Sequence, residues 1–215
     1  LSICILSASL IMAAPAAVDT RRDRLVIVGV DGITFDVIDP LIKAGKLPTF
    51  AKLLEGGSRA ILTSEKPMRS PALWTTIATG QPRQVHRIFD FVTGSWYWPK
   101  TERSKNQRLV TSDMRESPAI WNMASEAGQK SLVVGWLNTW PAEEIKGVMV
   151  APYVALGKKK QTSIKGKIYQ GAKNQTWPDA LRSEIAPLIR SAESITPSEI
   201  AQIVEAPPKS SGLYR

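Results

Sequence analysis

Ser70 and Asp31 are the two residues whose type and setting suit chemistry on a phosphate ester. Ser70 stands in Arg69-Ser70-Pro71-Ala72-Leu73-Trp74-Thr75-Thr76-Ile77-Ala78-Thr79-Gly80. Serine is a favoured N-cap, and proline suits the first helical position, where its missing N–H is not needed. Leu73, Trp74, Ile77 and Ala78 recur at helical spacing, and Gly80 is a natural stop. The pattern predicts a short helix with Ser70 at its positive end, where unbonded N–H groups and the dipole favour an anion. A hydroxyl there is placed to attack phosphorus. The plainer alternative is that Ser70 only caps its helix: Ser117-Pro118-Ala119-Ile120-Trp121 repeats the pattern with nothing chemical around it. Asp31 follows the apolar run Leu25-Val26-Ile27-Val28-Gly29-Val30, which reads as a buried parallel strand. Ligands collect at the carboxyl ends of such strands, so Asp31 is placed to hold a metal ion. Its alternative role is an Asp-Gly turn with Gly32.

The elements that must position these residues alternate along the chain. A helix is expected over 34–44, with Phe35, Ile38, Leu41 and Ile42 on one face and Gly45 at its end. A second opens at Leu47-Pro48 and stops at Gly56-Gly57. Residues 59–63 read as a strand, 64–69 as the loop into the Ser70 helix, and 80–87 as a loop carrying His86. Residues 94–108 are irregular, with Trp96, Tyr97 and Trp98 followed by basic and polar residues. This suits a surface hairpin, or a platform that stacks a base or sugar. A helix over 118–127, strands over 131–136 and 147–151, and helices over 179–191 and 197–206 follow. The last opens on Thr196-Pro197-Ser198-Glu199, a capping-box pattern, and ends at Pro207-Pro208. The Lys- and Gly-rich stretch 157–174 reads as a long exposed loop. Strands alternating with helices predict an α/β fold: a three-layer sandwich, its central sheet mostly parallel and covered by helices on both faces.

The chain has 215 residues, enough for one sizeable core. Its 28 Lys+Arg against 19 Asp+Glu give a net charge of +9, which suits anionic ligands or an anionic membrane surface. One cysteine, Cys4, excludes an internal disulfide framework, and no Cys/His zinc spacing occurs. There is no GxGxxG and no Walker motif. Residues 1–18 are apolar and uncharged, with Ala13-Ala14-Pro15-Ala16-Ala17 offering small residues for cleavage. They read as a signal-peptide remnant that directs export to the periplasm or the extracellular space; an uncleaved anchor is the alternative. Residues 19–24 are a polar junction.

These motifs together resemble the alkaline phosphatase superfamily, in its type I phosphodiesterase/nucleotide pyrophosphatase branch. Four features carry the resemblance. They are the apolar strand ending in Val30-Asp31-Gly32; Gly45-Lys46-Leu47-Pro48-Thr49-Phe50 through Gly56-Gly57, similar to "G-x-L-P-N-L-x-x-L-x-x-x-G"; Ser70 ten residues before the Gly80 of an Ala-Thr-Gly end; and His86-Arg87-Ile88-Phe89-Asp90-Phe91, similar to "H-G-I-F-D-F". The resemblance implies that Ser70 is the nucleophile, that Asp31 and Ser70 are ligands of a catalytic metal, and that the cofactor is a pair of Zn2+ ions. Metal coordination lowers the pKa of a hydroxyl, and two metals about 4 Å apart stabilise attacking and non-bridging oxygens. The implied reaction is in-line attack on phosphorus, giving a phosphoryl-serine that water hydrolyses. The implied partner is a small phosphate ester, with no specific nucleic acid and with a membrane only through an uncleaved N-terminal segment.

The sequence also departs from the family. Leu73 stands where members with nucleotide pyrophosphatase activity have an oxyanion-donating Asn, and Arg87 stands where Gly is usual. The family's other metal ligands include several histidines, whereas this chain has one, His86, which the pattern does not make a ligand. Residues 25–215 are therefore expected to be the N-terminal portion of the catalytic domain, its sheet incomplete at the C-terminus and this portion inactive alone. A second expectation is a non-catalytic exported module that binds an anionic polymer or glycan through a basic, Trp-rich surface. A third is a phosphomutase, phosphonate or ethanolamine-phosphate enzyme of the same superfamily.

Overall fold

Helix formation is local wherever a stop and a start are both encoded. In the computed structural model, which describes residues 24–152, 173–188 and 196–202, α1 spans Phe35–Lys43 and α2 Pro48–Gly56. Gly45 takes a left-handed φ of 69°, which lets the chain reverse between them. Pro48 sits in the first turn of α2, where it costs no hydrogen bond. The Arg59 guanidinium bonds both Asp39 oxygens, at 3.0 and 2.9 Å, and lies 3.7 Å from the Phe35 ring centroid.

The strand expected over 25–30 is not one. Those residues form no ladder among the described residues, and Leu25 and Val28 are 75% and 79% exposed. Residues 59–63 likewise form no ladder, and Ile61 and Leu62 are exposed. The physical reason is that a strand is a relation between two segments: an apolar run without a partner among the described residues has strand propensity and no strand.

The rest of the fold follows from residue 62 onward. α3 (Ser70–Thr79) and α4 (Arg83–His86) are followed by an irregular stretch, then α5 (Ile120–Glu126). Three strands, β1 (Ser131–Val134), β2 (Gly147–Val150) and β3 (Thr176–Trp177), make one sheet in the order β1-β2-β3. β1 and β2 pair in parallel, Ser131 opposite Gly147 and Val134 opposite Val150; β3 runs antiparallel to β2. Gly147 needs to be glycine, because at its φ of 138° a Cβ would lie 2.0 Å from the Ser131 carbonyl oxygen. α6 (Leu181–Ile185) and α7 (Pro197–Ala201) close the described chain. The capping box is present: Thr196 N–H donates to Glu199 Oε2 at 2.8 Å, and Glu199 N–H donates to Thr196 Oγ1 at 3.3 Å.

The fold is thus mixed α/β, with a small sheet of one parallel and one antiparallel pairing. Val133, Ile145 and Met149 pack with Ala78 of α3 and with Ala119 and Trp121 at α5, flanked by Trp136, Ala142 and Trp177. On the other face, Leu132 and Val134 are exposed. The chain divides into two units, Leu1–Ile61 and Leu62–Arg215, each described by itself. No helix among the described residues is long and apolar enough to cross a membrane. The expected signal remnant 1–18, most of the junction 19–24, and most of the loop 157–174 lie outside the described residues. So do the ends of the helices expected over 179–191 and 197–206, with Pro207-Pro208.

Candidate active site

Ser70 is the first helical residue of α3, not its cap. The cap is Arg69, with extended backbone at φ −124° and ψ 121°, and no side chain caps the helix. The shift follows from Pro71, which is accommodated equally well in the second helical position. Its consequence is chemical: the half-buried Ser70 hydroxyl has no hydrogen-bond partner among the described residues. Ser117 goes the other way. There α5 starts only at Ile120, because Asn122 Oδ1 takes the Ala119 N–H at 2.8 Å, and Arg115 Nε donates to the Ser117 carbonyl at 2.8 Å. The same dipeptide thus opens a helix at half-buried Ser70 and lies buried ahead of a helix at Ser117.

α3 is held on several sides. Pro71, Ala72, Thr75, Ala78 and Thr79 are buried, and Gly80 ends the helix at a left-handed φ of 66°. Thr75 Oγ1 donates to the Pro71 carbonyl at 2.7 Å. From the loop after β1, Asn138 Nδ2 donates to the Pro71 carbonyl at 3.0 Å and to Thr75 Oγ1 at 3.1 Å. Asn138 does so from a left-handed φ of 62°, a conformation that asparagine tolerates better than most residues. Trp136 Nε1 donates to the Trp74 carbonyl at 3.2 Å, and the two indoles meet edge to face at 5.2 Å. On the approach to the helix, Arg83 Nη2 donates to the Glu65 and Pro67 carbonyls at 3.2 and 3.0 Å, and Nε lies 3.0 Å from Glu65 Oε2.

Two ionisable groups sit against this helix. The Arg69 guanidinium bonds Asp90 Oδ1 through Nε and Nη2, and lies 4.3 Å from the Tyr97 ring centroid. Burial of Asp90 works to raise its pKa. Hydrogen bonds from Ser95, Arg69 and the Phe91 N–H, with the Arg69 charge, outweigh it and hold the carboxyl below the usual carboxylate range. His86 is fully buried, and burial pushes its pKa down to about 4. Its Nδ1 accepts the Ile88 N–H at 3.1 Å, so Nε2 carries the proton and donates to Thr76 Oγ1 at 3.0 Å.

Asp31 is exposed at a turn whose Gly32 has a φ of 71°, so the turn expected of Asp31-Gly32 is present. Asp31 belongs to the first unit and Ser70 to the second, and each is described in its own surroundings. A two-zinc centre does not fit the donors at hand. Among the described residues no three His, Cys, Asp or Glu cluster to hold a metal ion, and the single histidine has both ring nitrogens engaged within its unit.

Inspection of the sequence alone misses Arg69, Asp90, Arg83 and Asn138 as the framework around Ser70. Arg69 carried a signal, a charge adjacent to Ser70. The others carry none, because their partners lie 16 to 67 residues away.

The family model for type I phosphodiesterase / nucleotide pyrophosphatase matches residues 25–203. No curated protein and no solved structure matches the chain. The family match spans both units, including Asp31, Ser70 and the framework that holds α3. The chain belongs to the type I phosphodiesterase/nucleotide pyrophosphatase family.

Proposed function

We propose that the protein hydrolyses phosphoric esters with Ser70 as nucleophile. The observation that carries this is the unengaged Ser70 hydroxyl in the first turn of α3, within a chain of this family. The first-turn amides and the helix dipole favour the anionic phosphoryl group beside that hydroxyl. Ser70 Oγ forms a bond to phosphorus, the bond from phosphorus to the leaving oxygen breaks, and the serine proton passes to solvent while the leaving oxygen takes one up. Water then attacks the phosphoryl-serine and restores the hydroxyl.

The family is typically metal-dependent, and Asp31 and Ser70 are the residues this chain would offer to a divalent ion such as zinc. They are too few for a two-metal centre, so its other donors would come from outside the described residues. Replacing Ser70 by Ala in the full-length protein is expected to cut hydrolysis of aryl phosphate mono- and diesters by about a thousandfold or more, while thermal unfolding stays within a few degrees. Turnover within threefold of wild type would exclude Ser70 as nucleophile.

A further inference from the structure

The segment from Gly94 to Arg108 is pinned open as a rigid excursion, and its outer surface is amphiphilic. Thr93 N–H donates to the Arg108 carbonyl at 2.8 Å and Ser104 N–H to the Gly94 carbonyl at 3.0 Å. Gly94 is required there: its φ is 67°, and a Cβ would lie 2.8 Å from Ser104 N. Beneath, Trp98 packs on Phe89 at 5.1 Å and donates through Nε1 to the Val92 carbonyl at 2.9 Å. This fixed base presents Trp96, which is 76% exposed, and Tyr97 beside it. Lys100, Arg103, Lys105 and Arg108 share the segment with one carboxylate, Glu102, which Arg87 already pairs. Lys100, Lys105 and Arg108 are exposed, and their charged groups have no partner among the described residues.

An exposed indole on a segment that also carries three exposed, unpaired cations matches a surface that offers both hydrocarbon and negative charge. We propose that this segment is a peripheral docking site for an anionic phospholipid bilayer. Trp96 and Tyr97 enter the headgroup level, and Lys100, Lys105 and Arg108 meet lipid phosphates. A stacked nucleobase or sugar is the less favoured partner, because the ring faces are partly occupied. The Arg103 guanidinium lies 4.0 Å from the Trp96 centroid, and that of Arg69 lies 4.3 Å from Tyr97. Edge-on entry into headgroups displaces neither.

The test is co-sedimentation of the full chain with phosphatidylcholine vesicles, with and without phosphatidylglycerol, across a salt series. The zwitterionic vesicles measure any contribution of the apolar residues 1–18. Added affinity for the anionic vesicles is expected, falling as salt rises. Trp96→Ala is expected to weaken that increment about tenfold. Lys100→Gln, Lys105→Gln and Arg108→Gln together are expected to weaken it roughly a hundredfold, at about fivefold per cation. All are exposed positions, so far-UV circular dichroism checks that the fold persists. Ser70→Ala is expected to bind like wild type, which separates this site from the hydrolase assignment. No added affinity for anionic vesicles, or an increment that both sets of variants leave unchanged, overturns the proposal. Trp96-dependent binding to soluble polyphosphate without vesicle binding overturns it in favour of a polyanion site.

Discussion

At the residue scale, Ser70 stands one position further into the helix than a cap, and the chemistry proposed for it rests on that. A capping serine spends its oxygen on the backbone, whereas Ser70 does not. The Ser-Pro start and the Gly80 stop made the helix legible to within a residue. What the hydroxyl does was not legible, since that depends on which neighbours fail to reach it. His86 shows the same divide. The family pattern gives it no role, and its burial and its bonds to Thr76 and Ile88 are products of the fold. Its depressed pKa has a definite consequence for stability. Above about pH 6.5 both folded and unfolded forms are neutral. As pH falls towards 4 the unfolded chain binds the proton first, so stability is lost through that window. At about 1.4 kcal/mol per pH unit the loss approaches roughly 3 kcal/mol. His86→Gln should flatten the fall in urea midpoint between pH 6.5 and 4, with the Asp90 contribution persisting to lower pH because its folded pKa is depressed. A midpoint that tracks wild type across this window would show that His86 does not titrate as described.

At the element scale, α3 is positioned from outside itself. After β1, Asn138 reaches its first turn and Trp136 its second, each through its side chain, and Arg83 of α4 fixes the loop that leads into it. Asn138→Ala removes two hydrogen bonds and leaves a less tolerant residue at positive φ. It is expected to lower the unfolding free energy by about 1–3 kcal/mol in urea titration. An unchanged midpoint would mean that Asn138 does not hold the helix. Helices with encoded ends were legible: residues 34–44 gave α1 at Phe35–Lys43, and residues 47–57 gave α2 at Pro48–Gly56. The one-turn α4 was not legible, because residues 80–87 carry no periodicity beyond Gly80-Gln81-Pro82. β3 was missed because two residues have no pattern. Residues 25–30 had the pattern and did not pair, since apolar content specifies a strand only where a neighbour completes it.

At the scale of the whole molecule, a net charge of +9 draws anions to a protein whose family acts on phosphoric esters. The donors needed for a two-metal centre are not gathered among the described residues, while α3, which carries the proposed nucleophile Ser70, is complete. The family was legible because its motifs are ordered along the sequence from Asp31 to Phe91, independent of how the units pack. The proposed phosphoryl-serine is one covalent bond, and trapping that bond tests Ser70 as nucleophile most directly. The full-length protein is quenched in acid during turnover of an aryl phosphate ester, digested, and its peptides are weighed. Added phosphoryl mass is expected on the peptide containing Ser70, and none on that peptide in Ser70→Ala. Turnover with no phosphoryl mass on that peptide, or with the mass on another residue, would contradict that assignment.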